Sequence, residues 1–138
     1  MSNQIYKQGI QGLISGGIDL DTDVIKIALV KSYTPNITTH RWLSDLTGAG
    51  GVVAATSAAI GSVTVTDGVF DCADLSFIGV AAGAACQQLV FYKDTGVAGT
   101  SALIAVIDTA TGLPVTPDGG NIAMVFDNTT NKIINWSP

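Results

Sequence analysis

No glutamate occurs among the 138 residues; all eleven acidic side chains are aspartates. Histidine occurs once, as His40, and cysteine twice, as Cys72 and Cys86. Charged residues make up 12% of the chain, against about 25% in an ordinary globular domain. Each shortage removes a class of function. The six lysines and arginines are scattered and the formal net charge is −5. No basic stripe is present to displace counterions from nucleic acid, and none to hold an anionic membrane surface. One histidine and two cysteines too far apart for a Cys-x-x-Cys pair give no zinc ligand set. No apolar run approaches the ~18 residues of a spanning helix. The N-terminus lacks the basic-then-apolar pattern of a signal peptide.

Catalytic patterns are missing in the same way. No Gly-x-Ser-x-Gly elbow is present to serve a hydrolase with His40, and His40 reads as a surface or loop histidine. The glycine-rich residues 47–51 are not followed by the Gly-Lys-Ser/Thr that grips phosphates, and no Gly-x-Gly-x-x-Gly opens a helix. Asp19, Asp21 and Asp23 have the alternate spacing of a calcium loop. That loop needs Gly at its sixth position and Glu at its twelfth, where Val24 and Val30 stand. Most other aspartates lie in turn signatures such as Asp67-Gly68, Asp94-Thr95-Gly96 and Asp118-Gly119. We therefore expect no enzyme, no metal and no cofactor.

What is present is a succession of short apolar runs with turn chemistry between them. Residues 89–92, 103–107, 122–126 and 133–136 are β-branched, aliphatic or aromatic. The intervening segments are rich in Gly, Pro, Asn, Asp and Thr. Such punctuation predicts strands of an antiparallel sheet. The runs 89–92 and 103–107 are apolar on both faces. A strand with one wet face alternates, so these two must be covered twice, by a second sheet or by a neighbouring subunit. Residues 24–33 predict another strand, with Lys26 and Lys31 within it as gatekeepers against aggregation, stopped by Pro35. Residues 52–59 read as an irregular edge strand. Asp67-Gly68 between β runs predicts a hairpin, and Asp118-Gly119-Gly120 a second one. Residues 38–46 predict a helical turn capped by Thr38 or Thr39, with Trp42, Leu43 and Leu46 on one face.

The N-terminus differs. Ile5, Tyr6, Ile10, Leu13 and Ile14 recur at helical spacing, predicting a helix over residues 3–15 capped by Ser2 and ended by Gly16-Gly17. Gly9 and Gly12 weaken it by about 1 kcal/mol each relative to alanine, and both allow another backbone to come close. So marginal a helix needs a docking partner, its own sheet or a neighbour. The fold class expected is mainly β: an antiparallel sandwich or barrel with one short N-terminal helix, in a single domain over 1–138 with residues 1–17 as helix or arm. Cys72 and Cys86 are expected to be buried free thiols.

Mean hydropathy is +0.44. With so few charges, part of the surface must be apolar or rich in hydroxyl and amide groups, which marks contact sites. That predicts a subunit that covers itself by assembly. Ile5, Tyr6, Ile10, Trp42 and Trp136 are the candidate contact residues. Trp42, Trp136, Tyr33 and Tyr92 could instead stack on sugars, as in a carbohydrate-binding module.

Several blocks carry a resemblance: YKQGIQGLISGGIDLDTDVIKIALV, TTHRWLSDL, TVTDGVFDCADLSF, QLVFYKDTG, ALIAVIDTATGLPVTPDGGNI and MVFDNTTNKIINW. Their content and order resemble a family of small virion proteins of tailed bacteriophages, over nearly the whole chain. The resemblance implies a structural protein of the particle, a capsid decoration (cement) protein before a tail-tube or head–tail connector subunit. It implies a homotrimer bound to the major capsid protein on the outer shell, made in the reducing host cytoplasm, and no catalytic residues.

Overall fold

The computed structural model describes residues 4–108 and 110–126, and the backbone of 134 and 135. Among the described residues, ten strands and two helices form in the order β1 (Gln4–Ile5), α1 (Lys7–Ser15), β2 (Ile25–Lys31), α2 (Leu43–Gly48), β3 (Val52–Thr56), β4 (Thr64–Thr66), β5 (Val69–Asp71), β6 (Leu75–Phe77), β7 (Gln88–Lys93), β8 (Leu103–Ile107), β9 (Ile122–Met124) and β10 (Ile134–Asn135). They make a five-stranded sheet β1-β8-β7-β2-β3, a three-stranded sheet β10-β5-β4 and a two-stranded sheet β6-β9. Every named strand pair is antiparallel. The architecture is mainly β and sandwich-like, and among the described residues no sheet closes into a barrel.

The five-stranded sheet is covered on both faces by this chain alone. One face buries Ile25, Ile27, Leu29, Leu89, Phe91 and Ile107 against Phe70 and Cys72 of the β5 region and Phe77, Ile122, Met124 and Phe126 of the β6–β9 region. Phe91 meets Phe70 edge-on, with ring centroids 6.2 Å apart. The opposite face buries Ala28, Val30, Val90, Tyr92, Leu103 and Val106 against Tyr6, Tyr33 and Leu46. The doubly apolar pattern of β7 and β8 is thereby explained without a neighbouring subunit. The exposed surface, 6795 Å², is close to the roughly 6,700 Å² of a compact monomer of this mass.

Two bulges adjust the alternation. Phe91 pairs with Ala105 but Tyr92 pairs with Leu103, so Ile104 is an extra residue in β8. Ile104 and Ala105 consequently both face the larger cluster. Ala54 is the extra residue in β3, and with Ala55 it packs on that same cluster. Period-2 reasoning fails at such points because two residues oppose one.

The N-terminal segment departs from expectation. Ile5 pairs with Ala105 in a short edge strand, and the helix begins only at Lys7. Ser2, expected to cap it, lies outside the described residues. Where β1 ends, α1 takes over the free edge of β8: the Tyr6 N–H donates to the Ile104 carbonyl, and Gly9 lies against the carbonyls of Leu103 and Ile104. Gly16, at φ 82°, closes the helix as expected. The partner of this marginal helix is the chain's own sheet.

Asp67 (φ 52°) and Gly68 (φ 76°) form the two-residue turn of the β4–β5 hairpin, a conformation that requires positive φ at both positions. Asp118-Gly119-Gly120 does not form the second hairpin. Gly119 donates to the Val80 carbonyl and Val80 to the Gly120 carbonyl, so this turn docks on a distant loop while β9 pairs with β6. The helical turn expected over 38–46 forms as α2, starting at Leu43. Neither threonine caps it. Asp45 reaches back instead, its Oδ2 accepting from the N–H groups of Arg41 and Trp42, each at 2.8 Å. These bonds hold its carboxyl below the usual carboxylate range.

Candidate functional site

A chain of hydrogen-bonded rings starts at Tyr6 in the core. Tyr6 is fully buried, and its hydroxyl lies 2.7 Å from that of Tyr33. The Tyr33 hydroxyl in turn lies 2.8 Å from His40 Nδ1. The Asn36 N–H also donates to His40 Nδ1, at 3.3 Å, so that nitrogen is the acceptor. Tyr33 must then donate to His40 and accept from Tyr6. The Tyr33 and His40 rings stack at 5.7 Å. Burial pushes both tyrosines above the ordinary phenol value, Tyr6 far more than Tyr33. This chain locks the loop before α2 onto the sheet.

A cleft of about 300 Å³ lies at the end of that loop, where Arg41 and Trp42 line it. Its first wall is α1 and the turn after it, through Gln8, Gln11, Ser15 and Gly17. Its second is the strand-like pairing of Trp42 with Ala102 and the β7–β8 loop, through Thr95 and Thr100. Gly12 and Ile18 line it between these walls, and a β-carbon at residue 12 would come 2.7 Å from Ile18 Cδ1. The β7–β8 loop is set by its own hydroxyls. Thr95 Oγ1 lies 2.6 Å from Thr100 Oγ1, and the Ser101 hydroxyl donates to the Val97 carbonyl. The Arg41 guanidinium sits 4.4 Å over the Trp42 ring. Lys93 at the end of β7 reaches the Gly17 carbonyl at 2.9 Å and Asp23 Oδ2 at 3.0 Å.

The Asp19/Asp21/Asp23 motif forms a turn. Asp23 Oδ2 accepts from the Asp19 N–H, and Asp19 Oδ1 from the Asp21 N–H. The Asp19 N–H and Lys93 hold the Asp23 carboxyl below its ordinary range. Among the described residues no group of three or more potential ligands is placed to hold a metal. No described helix is long and apolar enough to cross a membrane.

The five contact candidates do not form one patch. Ile5 is half-buried and packs on the larger core cluster. Tyr6 is a core residue, so an acidic substitution there would disrupt the fold rather than report on association. Ile10 is half-buried on α1, and Trp42 is half-buried beside the cleft. Trp136 lies outside the described residues. The sugar-stacking set is reduced similarly, because Tyr33 and Tyr92 are 7% and 4% exposed. Among the described residues, the large apolar ones that do face solvent are Ile14, Ile78, Val97, Val65, Val24, Val52 and Val125. Sequence reasoning missed Gln8, Gln11 and Arg41 as cleft residues. The local signal is the i, i+3 spacing of the two glutamines; the wall they face is thirty or more residues away in sequence.

Comparison with known proteins returned no matching family model, no matching curated protein and no matching solved structure.

Proposed function

We propose that this chain is a structural protein of a tailed-phage virion that decorates the outer capsid shell and stabilises it. The observation that carries this reading is a self-closed β-sandwich under a surface short of charge and set with exposed apolar side chains. Ile14 is 78% exposed, Ile78 76% and Val97 61%, on a chain that is only 12% charged. Isolated exposed apolar residues are ordinary. Several on a small domain with so few charges suit a protein that works by contact. The resemblance of the sequence blocks to small phage virion proteins supports the same reading.

The fold suits late addition to a finished shell. Both faces of the central sheet are covered within the chain, so the subunit does not need its partner in order to fold. Each contact with the shell can be weak, since many equivalent copies act together. Homotrimeric self-association belongs to this proposal. Its motivation is now the surface composition, because the doubly apolar strands and α1 have found their partners inside the chain.

Copy number tests the reading. In purified particles, the gel-band ratio of this protein to the major capsid protein is expected to approach stoichiometric. A ratio of a few copies per particle would place it in the tail or connector and reject decoration.

A further inference from the structure

We infer that the cleft between α1 and the β7–β8 loop binds an acidic sugar unit, a uronate-type ring whose carboxylate meets Arg41. At about 300 Å³ the cleft is at the small end of ligand pockets, which span roughly 300–1,000 Å³. Its lining combines two chemistries. Gly12, Ile18 and Trp42 offer apolar contact. Gln8 and Gln11 bring side-chain amides, each both donor and acceptor, and Thr95 and Thr100 stand at the rim. A pyranose ring matches such a lining, with C–H faces for the apolar part and vicinal hydroxyls for the amides.

The charge pattern selects an acid. Lys93 is already neutralised by Asp23 at 3.0 Å, and Lys26 by Asp94 at 2.8 Å. Arg41 forms no ion pair among the described residues, although the chain carries eleven carboxylates to six cations. Its guanidinium is held over the Trp42 ring at 4.4 Å, so its planar fork is pre-oriented at the cleft. A single carboxylate complements one such fork. The half-buried indole and the amides then supply the sites for the rest of the ring.

Titration of the isotope-labelled protein with glucuronate, glucose and acetate, followed by amide NMR, tests this. Glucuronate is expected to move the Trp42 indole and the Gln8 and Gln11 side-chain signals saturably, with a Kd on the order of 1–10 mM for so small a ligand. Glucose is expected to bind roughly tenfold more weakly, and acetate without saturation. Arg41→Gln is expected to bring glucuronate down to the level of glucose. Gln11→Ala is expected to weaken both sugars. Residues 11 and 41 are exposed, so both variants should keep the wild-type spectrum elsewhere. No saturable glucuronate response up to about 50 mM would overturn the inference. Acetate or glucose equalling glucuronate, or Arg41→Gln leaving the response unchanged, would do the same. None of these outcomes bears on capsid decoration, which copy number decides separately.

Discussion

Gly9 and Leu103 touch so closely that a β-carbon at residue 9 would lie 2.8 Å from the Leu103 carbonyl oxygen. The Ile104 carbonyl oxygen would be 2.9 Å away. Both obstacles are backbone, in a strand buried along its whole length. The contact lets α1 cover the part of the β8 edge that the two-residue β1 leaves open.

Gly9→Ala is therefore expected to destabilise the fold. Alanine would favour the helix by about 1 kcal/mol, but overpacking against fixed backbone costs about 1–3 kcal/mol. The steric cost should win, and chemical denaturation would show a lower midpoint. The nearby Ile14→Ala, at a position 78% exposed, should leave the midpoint almost unchanged.

The tyrosine chain makes an ordered forecast. Tyr6→Phe leaves Tyr33 still bonded to His40 and should cost about 1 kcal/mol. Tyr33→Phe strands the buried Tyr6 hydroxyl and should cost more, about 1–3 kcal/mol. Tyr6→Asp puts a carboxylate in the core and should prevent stable folding. Equilibrium unfolding of the three variants checks the order; Tyr6→Phe costing more than Tyr33→Phe would contradict the bond directions assigned above.

Both cysteines are free and buried. Unfolded, unreduced protein should titrate as two thiols per chain, and the folded protein should react slowly with alkylating reagents. Burial raises the Cys72 thiol from 9.0 to about 12. A raised folded value means that the folded state holds the proton longer. Its stabilising contribution is complete below about pH 9 and is lost as pH rises toward 12. The urea midpoint should therefore fall from about pH 9 upward, and less steeply in Cys72→Ala. An unchanged slope in that variant would remove Cys72 as a cause.

Asp45 makes the opposite forecast. Its folded value is lowered, first by the Trp42 N–H and then by the Arg41 N–H. Its contribution is present above the ordinary carboxylate range and is lost as pH falls through the lowered folded value. Asp45→Asn should cost about 1 kcal/mol at neutral pH, as for loss of a helix cap, and should flatten the acid limb of the stability profile.

The central strands were legible because their composition and burial agree. The sequence placed 103–107 and 24–33 where β8 and β2 lie, and the Asp67-Gly68 hairpin where its turn chemistry demanded. The start of the chain was misread for a physical reason. Ile5 and Tyr6 continue the helical spacing of Ile10 and Leu13, but pairing with β8 and burial beneath Tyr33 outweigh that local pattern. Asp118-Gly119-Gly120 has hairpin chemistry yet bonds to Val80, a partner that no local window contains. The cleft was less legible still. Arg41 and Trp42 line the cleft beside α1 only because the 32–42 loop runs from β2 to β8, where the Leu103 N–H donates to the Arg41 carbonyl, and the Tyr33–His40 bond forms within that loop where it turns at Asn36.

The most direct test of the decoration reading compares particles made with and without this protein. Cryo-microscopy and heat challenge should be applied to the same preparations. Decoration predicts density on the outer shell that disappears when the protein is removed, together with genome release at lower temperature. An unchanged shell with unchanged heat stability would contradict it.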